Sequence, residues 1–416
     1  MSTPITNASI QSSIPQTPGR EGNRSTGSAA SLQISGWHQL PQDQVGFSQE
    51  TALPNEGISQ AKLNALQDSF GLGDSFENDS QEAEPHEEEA TVAVFDDFRN
   101  ADKKGQMTHG ELVEGHLQAQ AGLNDEDIQR YQTDLGADFK PFEEALAGGE
   151  KDALERFIET SYTNSLDSTT DALEEVLSDD DSKIRTVNQS QSQARGRLAR
   201  DIWQRADSNE PFRKDLAESL GLDPTVNDKE LGQALTSKIN ETVAGSEKIA
   251  DSKQRYDEIS EKAAQAGLTH VVTSGNLGDF AKQWEKLGVK VDDDFYDSAL
   301  INENTIVAAA LDGSAPPRSA GFNSPKAGAD LAAPGVDIDV TAQDGDWTTA
   351  SGTSLAAPAV SAVAARLAAK NPDLTPSEIE AILTRTADPA QGPTSDIGQG
   401  VFDPDEALTT RNLTTS

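Results

Sequence analysis

A serine, Ser354, lies in a turn of small residues that leads directly into an alanine-rich helix, S-G-T-S-L-A-A-P. Apolar residues recur after the turn at helical spacing, as in Val360, Val363 and Leu367, and Pro358 fits the first helical turn, where no N–H donor is needed. A hydroxyl at such a helix start lies beside free backbone N–H groups and the positive end of the helix dipole, which favour developing negative charge. Ser354 is therefore placed as a nucleophile would be, although a buried helix with a serine cap has the same pattern.

Histidine, the side chain best suited to transfer protons near neutral pH, is scarce in this chain. Its five positions are His38, His86, His109, His116 and His270. His38 and His86 lie in a polar and an acidic segment, His270 opens a predicted strand, and His116 follows inside a predicted helix. His109 is followed by glycine in the segment M-T-H-G-E-L-V-E-G-H-L. Candidates for a general base are therefore few.

Two carboxylates, Asp96 and Asp97, end a short apolar run, T-V-A-V-F, of the kind found in buried parallel strands. In open α/β sheets, functional groups gather beyond the carboxyl ends of the strands. A second run, T-H-V-V-T-S, leads to Gly275 and Asn276. An asparagine in a turn is often only a turn former, but its side-chain amide is also a donor that can bind a negative oxygen.

Four segments together resemble those of the subtilisin-like serine peptidases, the subtilases. G-T-S-L-A-A-P resembles the nucleophile segment, H-G-E-L-V-E-G the histidine motif, V-A-V-F-D the aspartate segment, and V-V-T-S-G-N the segment of the oxyanion-hole asparagine. The resemblance implies that Ser354 is the nucleophile and His109 the general base. It also implies that Asp96 orients the histidine and that Asn276 donates to the oxyanion. Asp97 stands where the family usually has serine or threonine, and it remains a rival of Asp96.

The same resemblance implies a doubly wound α/β fold with a mainly parallel sheet, and the predicted alternation of strands and helices agrees with it. The segment I-R-T-V-N-Q-S-Q-S resembles, by position, the subtilase strand whose end lines the substrate cleft. Asn188, Ser190 and Ser192 are therefore predicted to bind substrate. Gln191 to Gln193 replace the Ser-Leu-Gly of the family, so the family's pocket preference does not carry over.

Composition divides the chain into three parts. Residues 1–75 are predicted to be a mostly disordered leader or a pro-segment, because they offer little apolar surface. Residues 76–90 form an acidic linker, and residues 91–412 form the peptidase domain. Residues 116–182 are predicted to be helical and acidic. A helical insertion is expected at about 194–255, where it would either decorate the domain or form a lid or a partner surface.

The chain is strongly acidic, with 33 Lys and Arg against 71 Asp and Glu in 416 residues, for a net charge of −38. It has no basic cluster with interleaved aromatic residues, so nucleic acid and anionic membranes are not expected as partners. Cysteine is absent, which excludes disulfides and thiolate metal sites. No cofactor is expected to be required. The carboxylates of Asp292, Asp293, Asp294 and Asp297 could hold a calcium ion, but a solvated loop is the simpler interpretation.

The N-terminus lacks both a basic start and an apolar core, so it does not match a general secretory signal peptide. No apolar run approaches the roughly 18 to 20 residues of a membrane helix. We therefore expect a cytoplasmic protein, or one that is exported by a leaderless route.

These observations predict a serine endopeptidase that hydrolyses a polypeptide substrate through an Asp-His-Ser triad and an acyl-enzyme intermediate. The alternative is a catalytically inactive scaffold or peptide-binding protein on the same fold. The departures from the family pattern after Asp96 and in the cleft strand keep that alternative open.

Overall fold

The computed structural model describes residues 90–99, 108–179, 182–341, 347–389 and 394–410. The predicted leader and nearly all of the predicted acidic linker lie outside these residues. The division of the chain into leader, linker and domain therefore stays a prediction.

Within the described residues, six parallel strands form the central sheet: β1 Thr91–Asp96, β2 Ile128–Gln132, β3 Ile184–Gln189, β4 Thr269–Thr273, β5 Thr305–Leu311 and β6 Leu331–Pro334. Their spatial order is β2-β1-β3-β4-β5-β6, and each neighbouring pair is parallel. β4 and β5 are buried throughout, as expected for parallel strands covered by helices on both faces. The chain first adds a strand on one side of β1 and then continues on the other side. The sheet is therefore doubly wound, and the predicted α/β fold class is confirmed.

Helices cover the two faces of the sheet. Their bounds in chain order are α1 His109–Ala121, α2 Phe139–Ala147, α3 Ala153–Ser178, α4 Arg195–Ser208, α5 Glu210–Ser219, α6 Asp228–Gly245, α7 Glu247–Gln265, α8 Gly278–Leu287, α9 Thr353–Lys370, α10 Pro376–Arg385, α11 Thr394–Ile397 and α12 Pro404–Thr409. α9 packs beside α1 and across β3, β4, β5 and β6, whereas α3 packs along α7.

The alternating side chains of β1 show how these layers are held. Val92 and Val94 point to one face and pack with Leu117 of α1 and with α9. Phe95 points to the other face and belongs to the large apolar core that contains Leu173 of α3. Because neighbouring residues of a strand point to opposite faces, this one strand contributes to both layers.

The prediction of an entirely helical segment at residues 116–182 is wrong at β2. The sequence of this strand is I-Q-R-Y-Q, and only Ile128 is buried. β2 lies at the edge of the sheet beside β1, where polar side chains are tolerated because much of the strand faces solvent. It therefore lacks the apolar run by which the interior strands were predicted.

The predicted insertion is helical, and it shares its core with the sheet. Trp203 of α4 lies in the same apolar core as Phe95 of β1, and its ring meets Trp284 of α8 edge to face, with 5.0 Å between ring centroids. The expected end of the insertion at residue 255 is not a structural boundary, because it lies inside the continuous helix α7. These helices are therefore built into the domain core.

A two-stranded antiparallel hairpin, β7 Ile338–Thr341 and β8 Trp347–Ala350, leads into α9. Val340 and Ala350 of the hairpin pack with Leu112 of α1 and Leu355 of α9, so the hairpin joins these two helices. In the part of the chain that the structure describes, no helix is both long and apolar enough to cross a membrane.

Candidate active site

Ser354 lies in the first turn of α9, which begins at Thr353. The carbonyl of Gly352, just before the helix, accepts a hydrogen bond from the Leu355 N–H over 3.1 Å. Ser354 is only 9% exposed, so the protein encloses most of its surface. The predicted helix start close to Ser354 is confirmed.

His109 is the first residue of α1, and a capping box fixes this helix start. The Thr108 hydroxyl accepts a hydrogen bond from the Glu111 N–H over 3.2 Å, and the Glu111 carboxylate accepts one from the Thr108 N–H over 2.7 Å. The His109 ring is nearly buried, and its Nδ1 lies 2.7 Å from Asp96 Oδ1. The end of β1 and the start of α1 thus bring an imidazole and a carboxylate into direct contact.

The environment of His109 favours its charged form. Burial lowers the pKa of His109, but the charge and hydrogen bond of Asp96 raise it, and the net pKa lies above its usual value. Because a carboxylate only accepts hydrogen bonds, the proton of the neutral ring lies on Nδ1, and Nε2 is the basic nitrogen. An imidazole held in this way can take up a proton at Nε2.

Asp96 and Asp97 have different partners. Asp96 contacts the imidazole and also accepts a hydrogen bond from the Asp97 N–H over 2.7 Å. The Asp97 carboxylate instead pairs with Arg99, over 2.8 and 2.9 Å, and accepts a bond from Gln132 over 3.1 Å. Burial raises the pKa of Asp97, but hydrogen bonds from Arg99 more than offset this effect and hold the pKa below its usual value. The contact with His109 is made by Asp96 and not by its rival.

Asn276 follows β4, and its side chain is bonded to the start of α9. Asn276 Oδ1 accepts hydrogen bonds from the Thr353 N–H over 3.0 Å and the Thr353 hydroxyl over 2.9 Å. These two donors fix the amide orientation, because Nδ2 could not accept either bond. A Cβ atom at Gly352 would lie 3.0 Å from Ser354 Oγ and 3.3 Å from Asn276 Nδ2. The hydroxyl and the amide nitrogen therefore border the same small space.

These side chains line one cleft, with about 560 Å³ of space free of protein atoms that is partly open to solvent. Its lining comprises His109, Leu135, Ser190, Gln191, Ser192, Arg197, Arg200, Thr273, Gly275, Asn276, Leu277, Thr353 and Ser354. The predicted base, nucleophile and amide donor thus come together, with Asp96 behind the imidazole. The arrangement provides a hydroxyl, a basic nitrogen with a carboxylate partner, and an amide donor around one space, which is the set of groups used in acyl transfer.

Comparison with known proteins decides the family. A sequence model of Peptidase_S8, the subtilase family, matches residues 96–401, which is well over half of the chain. The chain belongs to the subtilase family. The resemblance noted from four short segments is thereby confirmed.

The relatives of this subtilase either have low sequence identity to it or align with only a short stretch of it. The cell wall-associated protease of Bacillus subtilis (strain 168) is 43% identical over 70 residues, which are 17% of this chain and 8% of that protein. A lanthipeptide protease structure is 14% identical, with a TM-score of 0.42, over 77% of this chain and 86% of that one. The prenylagaramide maturation protease PagA is 14% identical, with a TM-score of 0.43, over 78% of this chain and 94% of that one. The chain thus spans less than a tenth of the curated relative that it matches.

Two residues predicted to bind substrate make contacts that hold the start of α9. A helical carbonyl normally accepts from the N–H four residues later, and for Ser354 that residue is Pro358, which has no N–H. The Ser190 hydroxyl donates to the Ser354 carbonyl over 3.0 Å instead. Asn188 donates to Ser190 over 3.1 Å and accepts from Ser361 of α9 over 2.9 Å.

The structure separates the three predicted substrate-binding residues of this subtilase. Asn188 is fully buried between β3 and α9 and is not among the residues that line the cleft, and its substrate contact stays a prediction. Ser190 and Ser192 do line the cleft, and their substrate contacts stay predictions.

The other described histidines are buried and favour the neutral form. Burial lowers the pKa of His116 to about 4, although a hydrogen bond to the Leu355 backbone opposes the shift. Burial lowers the pKa of His270 to about 3. His116 thus contacts the residue after Ser354, which the sequence did not indicate. His38 and His86 lie outside the described residues.

Sequence reasoning missed two arginines of the cleft, Arg197 and Arg200. Both belong to α4 in the segment R-G-R-L-A-R-D, and their spacing of three places them on one face of the helix. That spacing was a usable signal, but the sequence alone did not show which face of the helix meets the cleft.

The acidic group considered for calcium is engaged with neighbouring side chains. Asp293 pairs with Lys326 over 2.8 Å, Asp294 pairs with Arg195 over 2.5 Å, and Asp292 accepts from Asn240 over 2.7 Å. Among the described residues, no group of three or more His, Asp or Glu side chains is arranged to hold a metal ion. A structural calcium ion at this group stays untested.

Proposed function

We propose that the protein is a serine endopeptidase in which Ser354, His109, Asp96 and Asn276 perform the reaction on a polypeptide. The observation that carries the proposal is the 2.7 Å contact between His109 Nδ1 and Asp96 Oδ1, beside a cleft that Ser354 and Asn276 also line. A buried carboxylate that fixes the tautomer of a histidine prepares its other nitrogen to act as a base.

In the first half of the reaction, His109 Nε2 takes the hydroxyl proton as Ser354 Oγ attacks the peptide carbonyl carbon. The carbonyl oxygen becomes negative, and Asn276 Nδ2 donates a hydrogen bond to it. One such fixed donor typically lowers the barrier by about 2.7 to 4 kcal/mol. Asp96 stabilises the imidazolium but stays ionised. His109 then donates the proton to the departing amine, which leaves an acyl-enzyme on Ser354.

In the second half, His109 takes a proton from water, which attacks the acyl carbonyl. The oxyanion forms again at the same position and is stabilised by the same amide. When it collapses, His109 returns the proton to Ser354 Oγ and the peptide acid is released. These steps balance with peptide and water as the only reactants, and we propose no cofactor for them.

The proposal is tested with Ser354→Ala. The wild-type protein should cleave an unfolded polypeptide and react with a fluorophosphonate probe, whereas the variant should do neither. Circular dichroism serves as the control and should show that the variant keeps its fold. Equal cleavage by the two proteins would exclude Ser354 as the nucleophile.

One observation favours a second candidate function, a catalytically inactive peptide-binding protein. Asp96 Oδ2 is buried and accepts no hydrogen bond from the described residues, and Asp97 occupies the position where the family usually has a hydroxyl side chain. If the triad were incomplete for this reason, the wild-type protein would not react with fluorophosphonate but would still bind unfolded peptides. Labelling of Ser354 in the wild-type protein would exclude this candidate.

A further inference from the structure

Two of the proposed catalytic side chains lie at the starts of helices that pack against each other. His109 is the first residue of α1, and Ser354 is the second residue of α9. The two helices lie side by side. In the proposed reaction, His109 Nε2 must come within hydrogen-bond distance of Ser354 Oγ. The place of the first turn of α9 relative to α1 therefore decides whether the base reaches the nucleophile.

The first turn of α9 lacks bonds that a helix start normally makes. Pro358 has no N–H for the Ser354 carbonyl, and a proline ring inside a helix also crowds the carbonyl four residues before it. Gly352, the residue before the helix, has no side chain that could cap the turn. Contacts with neighbouring elements must therefore set the place of this turn.

Two such contacts come from the carboxyl edge of the sheet. Asn276, after β4, accepts a hydrogen bond from the Thr353 N–H over 3.0 Å. Ser190, after β3, donates to the Ser354 carbonyl over 3.0 Å. These bonds hold the turn against the sheet, and neither of them involves the helix that carries His109.

The contact with α1 is made by His116, two turns after the proposed base. His116 is 4% exposed, and its imidazole is hydrogen bonded to the backbone of Leu355. The Leu355 N–H already donates to the Gly352 carbonyl, so the imidazole donates to the Leu355 carbonyl. Leu112 of α1 packs with the Leu355 side chain. The residue after Ser354 thus contacts α1 through both its backbone and its side chain.

We infer that His116 is a positioning residue of the proposed reaction, because its bond to the Leu355 carbonyl ties the start of α9 to α1 and so sets the distance from nucleophile to base. The inference rests on the proposed function. His116 is not among the residues that line the cleft, so it acts through Leu355 and not on the substrate. A shift of about 1 Å at reacting atoms can slow a reaction about 100-fold, so a tie of this kind has a measurable effect on rate.

The first test replaces His116 by leucine, which fills similar space but has no donor. We expect kcat for a peptide to fall about tenfold or more and KM to change less than about twofold, because the cleft wall is unchanged. Reaction with fluorophosphonate, which needs no bound peptide, should slow by a similar factor. Circular dichroism checks the fold of the variant. An unchanged kcat in the folded variant would overturn the inference.

The second test restores a donor. His116→Asn and His116→Gln place an amide N–H close to the positions of Nδ1 and Nε2, respectively. Whichever ring nitrogen donates to Leu355, one of these two variants should have a kcat about threefold or more above that of His116→Leu. If neither variant exceeds His116→Leu, the hydrogen bond has no part in positioning, and the inference is overturned.

Leu117→Ala is the matched control for a loss of packing alone. Leu117 is buried on the same helix and packs with Ala362, farther along α9. Leu117→Ala should lower the urea midpoint at least as much as His116→Leu, yet leave kcat within about twofold of the wild-type value. If it lowered kcat as much as His116→Leu does, general loosening of the two helices would explain both losses, and the inference would fail.

A third measurement does not depend on catalysis. In the Ser354→Ala background, the ¹³C resonance of the Leu355 carbonyl should move upfield when His116→Leu is added but not when Leu117→Ala is added, because a donated hydrogen bond polarises the carbonyl. If the wild-type protein does not react with fluorophosphonate but this shift is found, the proposed reaction fails and the tie between the two helices stands. An unchanged resonance would overturn the tie itself.

Discussion

Asp96, the last residue of β1, and Asp97, which follows it, should respond differently to replacement by asparagine. Asp96→Asn removes the carboxylate that fixes the His109 tautomer, and we expect kcat/KM to fall by about 10⁴-fold. Asp97→Asn removes an ion pair with Arg99, a side chain that is 46% exposed, and solvent screening limits the cost to about 1 kcal/mol of unfolding free energy. Peptide kinetics and urea unfolding of both variants check this. A larger kinetic loss for Asp97→Asn would reverse the assignment.

Asp97 also carries a pH dependence of stability. Its folded pKa lies below the unfolded value of about 3.9, so its contribution is present above that value and is lost as the pH falls through the lowered folded pKa. Part of the acid unfolding below about pH 4 should therefore disappear in Asp97→Asn. The wild-type and variant unfolding free energies should differ at pH 7 and converge at low pH.

The raised pKa of His109 gives a further prediction at the residue scale. In the proposed reaction His109 must be neutral to accept the Ser354 proton, so kcat/KM should fall on the acid side with a midpoint above about 6.5. The stability contribution has the opposite sign: it is complete below about pH 6.5 and is lost as the pH rises through the folded pKa. A pH profile of kcat/KM and of the urea midpoint measures both. An activity midpoint below pH 6 would contradict the raised pKa.

At the scale of single residues, the sequence was most informative where a motif contains only one residue that could play the predicted role. Ser354 and His109 were assigned from their own segments, and both line the cleft. Asp96 ends β1 and Asp97 follows it, and only the hydrogen bonds of the fold show which of the two contacts His109. The place of Arg197 and Arg200 in the cleft was missed because it depends on how α4 is rotated against the sheet, which the helical pattern does not specify.

At the scale of elements, the start of α9 depends on a partner from β3. Ser190→Ala would leave the Ser354 carbonyl without its hydroxyl donor, at a cost of about 1 to 3 kcal/mol of unfolding free energy. In a Pro358→Ala background the cost should be smaller, because alanine supplies the missing helical N–H. Urea unfolding of the four members of this double-mutant cycle measures the coupling. Equal costs of Ser190→Ala in both backgrounds would contradict the proposed replacement of one donor by the other.

The interior strands and the capped helices were predictable from local patterns. The apolar runs of β1, β4 and β5 are buried. Thr375 and Glu378, three positions apart, form the capping box at the start of α10, and a sequence shows that spacing directly. β2 was missed because an edge strand with polar side chains lacks an apolar run. The expected boundary at residue 255 was wrong because α7 begins at Glu247, after Gly245 and the Ser246 cap, and continues without a break through that position.

At the scale of the whole molecule, the helices of the predicted insertion share one apolar core with the sheet, so the insertion cannot be deleted without disturbing the domain. Removal of residues 194–255 would delete α4 to α6 and the first half of α7, including Trp203 and Leu235, which are buried in the core that covers the sheet. Loss of that much apolar contact exceeds the stability of an ordinary domain. Single replacements such as Arg200→Met therefore test the role of the insertion more cleanly than its deletion.

The charge of the whole chain predicts how salt acts on stability. With 71 acidic and 33 basic side chains, net repulsion among carboxylates opposes folding. Many ion pairs are partly exposed, such as Arg156 with Asp152, and salt weakens these pairs as well. At 0.15 M salt the screening length is about 8 Å, which is shorter than most distances across the domain but longer than an ion pair. Screening should therefore remove more repulsion than attraction.

We expect the melting temperature at pH 7 to rise as NaCl increases from about 0.01 to 0.15 M, and to flatten near 1 M, where the screening length is about 3 Å. Calorimetry over this range measures the effect. As a control, Lys248→Gln removes one positive charge from the surface, so it increases the net negative charge and should steepen the rise. If the melting temperature instead fell with salt, the ion pairs would outweigh the repulsion, and Lys248→Gln would then flatten the response.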